Sequence, residues 1–476
     1  MNGGHPAPVE QAGGLIRGLG ARDGALITAG AMLGSGIFLT TADIARRLPH
    51  GGLILVLWLG GGLLTLAGAL TYAELGTMFP RAGGQYHFLK EAYGRLWGFL
   101  FGWTSFFVIM TGGLSTIAVG FGEYLGAFVP FFSTEHVLAH ARVGPWAWTL
   151  TGAQLGGALA LALLTAVNLV GLRQGALVQN LATGLKLAVL LALALVGLAV
   201  APAASPDLLA PLPPGSLVAG LGLGMVAVLW TYDGWYALTF SAGEMRAPER
   251  NIPRGLVVGV LAVSALYLII NWVYLRALPP LRMGQTPRVA EAAAMALFGP
   301  GGARLVSAAV LIATFGCLAT NVLCCARIYQ PMAEDGLFFR GLARIHPRYR
   351  TPARSLLAQG GWGCALALSG TFEQLYTCVV FAGVLFHAGT GAAVFVLRRT
   401  RPELERPYRA WGYPWVPAAF VAACLLLVGT TLAQAPAESL VGLGLVATGL
   451  PAYAFWQGRW RRATGLGAAE LPVGPR

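Results

Sequence analysis

Long apolar runs recur along the whole chain and set the strongest limit on its fold. A helix needs about 20 apolar residues to cross a hydrocarbon core about 30 Å thick. Charged residues make up only 11% of the chain, whereas a soluble domain carries about 25%. The sequence therefore predicts an all-α integral membrane protein with twelve transmembrane helices. The predicted spans are 23–48, 52–78, 96–129, 147–168, 176–200, 217–244, 254–276, 303–331, 354–370, 374–397, 414–433 and 438–458.

Long connections are predicted at 130–146, 277–302 and 332–353. In the second of these, residues 287–299 have helical spacing and predict a short surface helix rather than a span. The chain then divides into an N-terminal segment 1–22, spans one to five at 23–200, spans six to ten at 217–397, spans eleven and twelve at 414–458, and a tail at 459–476.

The distribution of basic residues predicts the orientation of the chain. Placing both termini in the cytoplasm puts 23 of the 32 Lys and Arg residues in internal segments and 7 in external ones. Internal loops of membrane proteins carry such an excess. We therefore expect a multi-pass protein of the cell membrane with both termini in the cytoplasm. The net charge of +13 has the same explanation, so nucleic acid is not an expected partner.

The spacing of cysteine, histidine and acidic residues gives no sign of redox, metal or enzyme chemistry. All six cysteines fall in or beside predicted spans, which argues against a disulfide framework. No CxxC or His-rich pattern suggests a metal site, and no cofactor is expected. Because no cluster of His, Cys or paired carboxylates lies within the spans, an integral-membrane enzyme is a weak alternative.

Two of the predicted spans are interrupted in a related way. The first contains Gly-Ser-Gly at 34–36, and the sixth contains Trp-Thr-Tyr-Asp-Gly at 230–234. They lie five spans apart, so the second copy is expected to be inverted relative to the first. Broken helices at matching positions of two halves indicate an inverted-repeat transporter and its binding site. The alternative is that 34–36 only allows two helices to pack closely.

The breaks themselves suggest a class of substrate. An unwound helix exposes N–H groups at one half and carbonyls at the other, which suit a carboxylate and an ammonium group respectively. Two crossing broken helices can therefore hold an α-amino acid by its backbone groups. Small residues at 34–36 allow close approach to the carboxylate, and Trp230 and Tyr232 are candidates to cover the apolar side of the pocket, although ordinary helix packing also explains such aromatics.

Ionisable groups within the spans are further candidates. Lys186 lies inside an apolar run, where a lysine is costly and needs a polar cavity or partner; it can replace a bound Na⁺ or, less specifically, serve stability. Asp233 can carry a proton, pair with a basic substrate, or tie off freed N–H groups, the last being favoured. Glu74 lies near a span end, where an interfacial cap explains an acidic residue as well as a functional role does. Asn271 is expected to bridge helices.

An ordered series of motifs makes the chain similar to a known family. The motifs are GSGIF at 34–38, YAELG at 72–76, RAGGQY at 81–86, EMRAPERNIP at 244–253 and RPELERPY at 401–408. With these motifs the chain resembles the amino acid–polyamine–organocation superfamily, and within it the L-type amino acid transporter branch, over residues 20 to 460.

The resemblance implies a LeuT-type fold, in which helices 1 and 6 are broken and five-plus-five inverted repeats are followed by two further helices. It also implies roles for individual residues. The substrate carboxylate is expected at the backbone of Gly34, Ser35 and Gly36, the amine at carbonyls around Met32, Trp230, Thr231 and Asp233, the outer gate at Trp230, and a sodium-replacing cation at Lys186.

The resemblance also bears on coupling and partners. A lysine at position 186 suggests transport that does not depend on sodium. Relatives that pair with a heavy chain carry a cysteine after the third span, and the stretch 130–145 has none. No disulfide-linked heavy chain is therefore expected.

The sequence thus predicts a secondary transporter of L-amino acids that works by alternating access, through exchange or proton-linked uptake. A polyamine or organic-cation carrier of the same fold is the main alternative. A transporter-like nutrient sensor is another, and would be expected to carry an extra soluble domain.

Overall fold

The computed structural model describes residues 18–464 apart from 82, 144–145, 171–186, 201–205, 207, 213–216, 326–328, 330–337, 340 and 342–352. The described residues are mostly helical. The helices are α1 Ala21–Met32, α2 Thr40–Arg47, α3 Gly51–Met78, α4 Gln85–Tyr93, α5 Arg95–Leu125, α6 Gly152–Val170, α7 Leu187–Val200, α8 Leu217–Tyr232, α9 Pro248–Ala277, α10 Pro280–Met283, α11 Val289–Cys325, α12 Ala353–Ser369, α13 Phe372–Thr400, α14 Trp415–Gln434 and α15 Pro436–Thr464.

Nine helical stretches in the described part of the chain are long and apolar enough to cross a membrane. Three predicted spans match shorter elements. The first is divided between α1 and α2, the fifth is described only over α7, and the ninth is the 17-residue α12. The chain is therefore a helical, multi-pass membrane protein.

Both predicted interruptions are present. Helix α1 ends at Met32, a 3₁₀ turn covers Gly36–Phe38, and α2 then continues to Arg47. Helix α8 ends at Tyr232, Gly234 has a φ of +90°, and a 3₁₀ helix follows over Ala237–Glu244. We call α1 with α2 the first broken helix, and α8 with Ala237–Glu244 the second broken helix.

One region departs from the predicted all-α architecture. Val137–Val143 and Trp146–Thr151 form an antiparallel β-hairpin, so α6 begins at Gly152 rather than at 147. The second strand, with the sequence WAWTLT, is rich in aromatic and β-branched residues, a composition that favours a strand. The Trp148 indole donates to the carbonyl oxygen of Leu368 at 3.0 Å, which holds the hairpin against the end of α12.

The predicted surface helix at 287–299 is the first part of α11. This helix bends at Gly299, whose φ of 71° and ψ of −169° are not helical, and Pro300 follows directly. Proline disfavours a helical residue before it and removes a backbone donor, which explains the bend. The predicted helix is therefore present; it ends at the Gly299 bend and is continuous with the rest of α11.

Helix α9 lies directly against α1 and so alongside the site. A Cβ placed on Gly255 would lie 3.0 Å from the backbone carbon of Gly24, so only glycine permits this approach of the two backbones. The contact matters because α9 carries a row of polar side chains farther along, at Tyr267, Asn271 and Tyr274, that reach the first broken helix.

The ends of the helices gather at two faces. The N-terminal face contains residues 18–21, 78–81, 83–95, 244–248 and 398–413, and the opposite face contains residues 43–50, 126–143, 146–151, 277–298 and 370–373.

Buried charge at the N-terminal face joins α3 to α13. The fully buried Glu74 carboxylate accepts from Arg398 Nε and Nη2 at 2.9 and 2.6 Å and from the Ala410 amide at 2.7 Å. A buried carboxylate needs such partners, because removing one leaves an uncompensated charge. Glu74 is therefore a buried structural ion pair, not an interfacial cap.

Candidate functional site

The two broken helices touch each other at their breaks. A Cβ placed on Gly36 would lie 2.5 Å from Thr231 Oγ1 and 3.0 Å from Thr231 Cα. A Cβ on Gly234 would lie 2.8 Å from the carbonyl oxygen of Ala31. The Thr40 and Thr231 hydroxyls complete the junction with a hydrogen bond of 2.8 Å. The sequence elements at 34–36 and 230–234 therefore form one site.

The first break presents backbone N–H groups. The Gly34 amide turns back onto the Met32 carbonyl at 2.8 Å, which separates α1 from the next turn. Within the described part of the chain, the amides of Ser35 and Gly36 have no hydrogen-bond acceptor, and the Ser35 hydroxyl is buried without a partner. Free N–H groups at the start of a helical segment form a ready anion site.

The carbonyl end of the site is organised by a residue that the sequence did not single out. The Tyr267 hydroxyl on α9 lies 2.8 Å from the Met32 carbonyl oxygen and 3.1 Å from that of Thr231. One hydroxyl carries one proton, so it can donate fully to only one of these oxygens at a time. The Met32 and Thr231 carbonyls thus converge on one point, and a donor with more than one proton could bond both of them fully.

Two more tyrosines bind the backbone beyond the first break. The Tyr274 hydroxyl donates to Ile37 at 3.3 Å, and the Tyr124 hydroxyl donates to Phe38 at 3.0 Å. Asn271, expected to bridge helices, accepts a hydrogen bond from Thr41 at 2.7 Å. The spacing of Tyr267, Asn271 and Tyr274 places all three on one face of α9. This polar stripe in an apolar span was the signal that could have located Tyr267.

Trp230 packs between the second break and α13. Its ring stacks on Tyr376 at a centroid distance of 6.3 Å and meets Phe372 edge-on at 6.4 Å. The Trp230 indole nitrogen is buried and has no hydrogen-bond partner among the described atoms. An aromatic side chain between the break and α13 has the geometry of a lid over the site.

Tyr232 points elsewhere. Its hydroxyl donates to the Trp58 carbonyl on α3 at 3.2 Å, and its ring meets Tyr267 edge-on at 5.2 Å. The structure therefore places the two candidate pocket aromatics on different sides of the second broken helix, with Trp230 against α13 and Tyr232 against α3.

The Asp233 side chain also turns away from the Gly36–Thr231 junction. Its carboxylate lies beside the Gly234 amide and the Tyr236 hydroxyl, both of which can donate to it, and it lines a small cavity that α13 and α14 share. The interpretation of Asp233 as a group that ties off freed N–H groups agrees with the Gly234 contact. Lys186 lies outside the described residues.

Charged side chains lie above Trp230 at the opposite face. Glu373 at the start of α13 forms ion pairs with Arg47 and, at 3.4 Å, with Arg46, and Arg46 also pairs with Asp43 at 3.0 Å. The Tyr376 hydroxyl donates to Asp43 at 3.2 Å. These contacts tie the end of the first broken helix to α13.

The N-terminal face carries contacts as well. The amides of Gly18 and Leu19 both donate to the Glu244 carbonyl at 3.0 Å, and the Arg246 amide donates to the Leu19 carbonyl at 2.8 Å. The segment before α1 thus pairs with the segment after the second broken helix. Contacts therefore join the broken helices to neighbouring segments at both faces.

Among the residues that the structure describes, no group of three or more His, Cys, Asp or Glu side chains is placed to hold a metal ion.

The fold and the junction of the two broken helices are those of a membrane transporter. The chain belongs to the amino acid permease family, whose model matches residues 19–449. Family members of this kind are transporters and not enzymes.

Three curated relatives illustrate the range of the family. The serine/threonine exchanger SteT of Bacillus subtilis is 30% identical over 445 residues, covering 92% of this chain and 97% of the relative. The human b(0,+)-type amino acid transporter 1 is 30% identical over 397 residues, with 83% and 79% covered. The human large neutral amino acids transporter small subunit 2 is 28% identical over 440 residues, with 90% and 79% covered.

Proposed function

We propose that the protein is a secondary transporter of L-amino acids that works by alternating access. The observation that carries the proposal is the junction of the two breaks, where the free Ser35 and Gly36 amides lie beside the convergent Met32 and Thr231 carbonyls. Membership of the amino acid permease family supports the same function. Under this proposal the fold is of the LeuT type, with twelve membrane-spanning helices and repeats at 23–200 and 217–397.

The substrate carboxylate binds at Gly34, Ser35 and Gly36. Three features favour this end of the site: small residues, N–H groups without an acceptor in the described structure, and the buried Ser35 hydroxyl. A buried hydroxyl without a partner costs about 1–3 kcal/mol, and a bound carboxylate oxygen would recover part of that.

The substrate ammonium group binds at the carbonyl end, which includes Met32, Trp230, Thr231 and Asp233. An ammonium group offers three donors, whereas the single Tyr267 proton is shared between the Met32 and Thr231 oxygens. The substrate amine can therefore donate to the Thr231 carbonyl, which lacks the Tyr267 proton whenever Tyr267 donates to Met32. Tyr267 would thus hold the carbonyl end in shape when the site is empty.

Trp230 acts as the gate on the opposite face. Opening this side requires Trp230 to leave Tyr376 and the Arg47–Glu373 and Arg46–Glu373 pairs to separate. Opening the other side requires the segment at Gly18 and Leu19 to leave Glu244. The ion pairs are partly exposed, so each is worth only about 0–1 kcal/mol, which suits a contact that breaks in every cycle.

Transport does not depend on sodium, since Lys186 supplies a positive charge within an apolar run. The name of SteT, an exchanger, favours amino acid exchange as one mode, and proton-linked uptake is the other. The protein resides in the cell membrane with both termini in the cytoplasm, which makes the opposite face external. It functions without a disulfide-linked heavy chain, because 130–145 contains no cysteine.

Counterflow in proteoliposomes tests the function. Vesicles preloaded with an unlabelled amino acid should take up the same labelled amino acid faster than empty vesicles, across a panel that includes serine, threonine and large neutral side chains. Replacing external Na⁺ by choline should leave the rate unchanged. Uptake that is indifferent to every amino acid would refute the proposal, and a strict need for Na⁺ would refute the role of Lys186.

A further inference from the structure

A small cavity lies beside the second broken helix and is lined by residues of α3, α5, α13 and α14. It has a volume of about 30 Å³, and Asp233 of the second broken helix, His387 of α13 and Thr65 of α3 contribute its polar groups. A space of at least about 10–15 Å³ can hold one water molecule when polar partners line it. The Thr65 hydroxyl is buried and has no partner among the described atoms, so a donor or acceptor is missing from the cavity.

Among the residues that the structure describes, no cationic side chain lines the cavity that holds Asp233 and His387. The residues that line it are otherwise apolar or aromatic, apart from the Cys424 thiol. The other titratable groups that face the pair are Tyr72 from α3 and Tyr236 from the second broken helix. With a neutral histidine and an ionised Asp233, the described lining of the cavity carries a net negative charge within the bilayer, which is costly. Binding one proton removes that charge.

The hydrogen bonds of His387 define where the proton can enter. The Gln85 side-chain nitrogen lies 3.3 Å from His387 Nδ1, and the Tyr72 hydroxyl lies 2.7 Å from the same atom. An amide nitrogen only donates, so Nδ1 accepts and a neutral His387 carries its proton on Nε2. Protonation of Nδ1 would force Tyr72 to become an acceptor and Gln85 to turn, which changes contacts of α3 and α4 with α13.

The network leads towards the N-terminal face. Gln85 also donates to Thr390, one turn farther along α13, at 3.1 Å. Tyr93 at the end of α4 donates to the neighbouring Gly389 carbonyl at 2.8 Å. Polar groups thus run from the cavity to the face that the Glu244–Leu19 contacts close, whereas Trp230 and Tyr376 separate the site from the opposite face.

We propose that Asp233 and His387 together form a proton-binding site whose occupancy is coupled to movement of the second broken helix. The proton enters from the opposite face when Trp230 moves away from Tyr376, binds to the pair, and leaves towards the N-terminal face when the contacts of Gly18 and Leu19 with Glu244 open. Asp233 immediately follows the Thr231 and Tyr232 segment, so its charge state acts directly on the break. This inference rests on the proposed function and assigns proton-linked uptake as a mode of that transporter.

The test separates net uptake from exchange in proteoliposomes with the membrane potential clamped at zero. When one proton moves with each substrate, an acid-outside gradient of one pH unit can drive about tenfold accumulation of a zwitterionic amino acid, since each tenfold ratio has the same free energy. Wild-type protein should approach this ratio, and a pH dye inside the vesicles should report acidification during uptake. His387→Gln should accumulate substrate less than about 1.5-fold while its counterflow rate stays within about twofold of wild type.

Asp233→Asn should also lose the gradient-driven accumulation when it is compared with its own counterflow rate, which tests the pair independently if His387→Gln does not fold. His140→Gln, an exposed histidine in the hairpin, is the matched control and should retain accumulation. Retention of full accumulation by either cavity variant would overturn the proton site, as would wild-type counterflow without any gradient-driven uptake. Absence of counterflow in wild type would instead refute the proposed function.

Discussion

Gly36→Ala tests whether the breaks must touch. The added Cβ would lie 2.5 Å from Thr231 Oγ1, 2.9 Å from Thr231 Cβ and 3.0 Å from Thr231 Cα, so the backbone at one break has to move. Overpacking of this kind costs about 1–3 kcal/mol. Loss of the Thr40–Thr231 hydrogen bond adds about 1 kcal/mol. If about 2 kcal/mol of this falls on the substrate-bound closed state, affinity falls about thirtyfold.

Equilibrium binding of a labelled amino acid to purified protein in detergent measures this loss. Gly30→Ala is the control, because a Cβ at Gly30 in α1 meets no atom within 4 Å; it should bind as wild type does. Unchanged affinity in Gly36→Ala, or an equal loss in Gly30→Ala, would refute the reasoning that the breaks are in contact.

A second change addresses the same contact from the other side. Thr231→Ala removes the oxygen nearest to the added methyl group, although Cβ and Cα at 2.9 and 3.0 Å remain. In the double variant with Gly36→Ala we therefore expect recovery of part of the lost affinity. If the losses of affinity in the two single variants simply add in the double variant, the two positions act independently.

Three further variants test the surrounding contacts. Glu74→Gln leaves Arg398 without its buried partner and should destabilise the protein by about 3–5 kcal/mol, seen as a lower melting temperature in detergent. Glu373→Gln removes the partner of Arg47 and should change the free energy of unfolding by no more than about 1 kcal/mol. It should nevertheless raise the labelling rate of a cysteine placed near Trp230, because solvent then reaches the site more often. Tyr267→Phe should weaken substrate binding by about 1 kcal/mol or more, with a melting temperature close to wild type.

The breaks were predictable because glycine and an aspartate stand out in otherwise apolar spans. The span boundaries followed from hydrophobic length: the ends of α3 and α13 lie within three residues of the predictions, whereas α9 begins six residues before its predicted start. The orientation and the substrate roles remain predictions.

Other features depend on contacts between distant segments, which one sequence does not display. Tyr267 is 235 residues from Met32, and Glu74 is 324 from Arg398, so neither pairing has a local pattern. The hairpin at 137–151 was missed because its apolar and aromatic residues, next to the long run of α6, match the start of a span as well as a strand. His387 gave no functional signal in the sequence, since a lone histidine in a span is more often a packing residue.

Competition binding tests the central claim, a site in which backbone amides hold the carboxylate and backbone carbonyls hold the amine. The amino acid that binds most tightly in a panel should be displaced by itself, but at least tenfold less well by its methyl ester, which lacks the anion, and by its N-acetyl form, which lacks the cation. An ester or an N-acetyl compound that competes as well as the parent amino acid would contradict the assignment of that end of the site to residues 34–36 or to Met32 and Thr231.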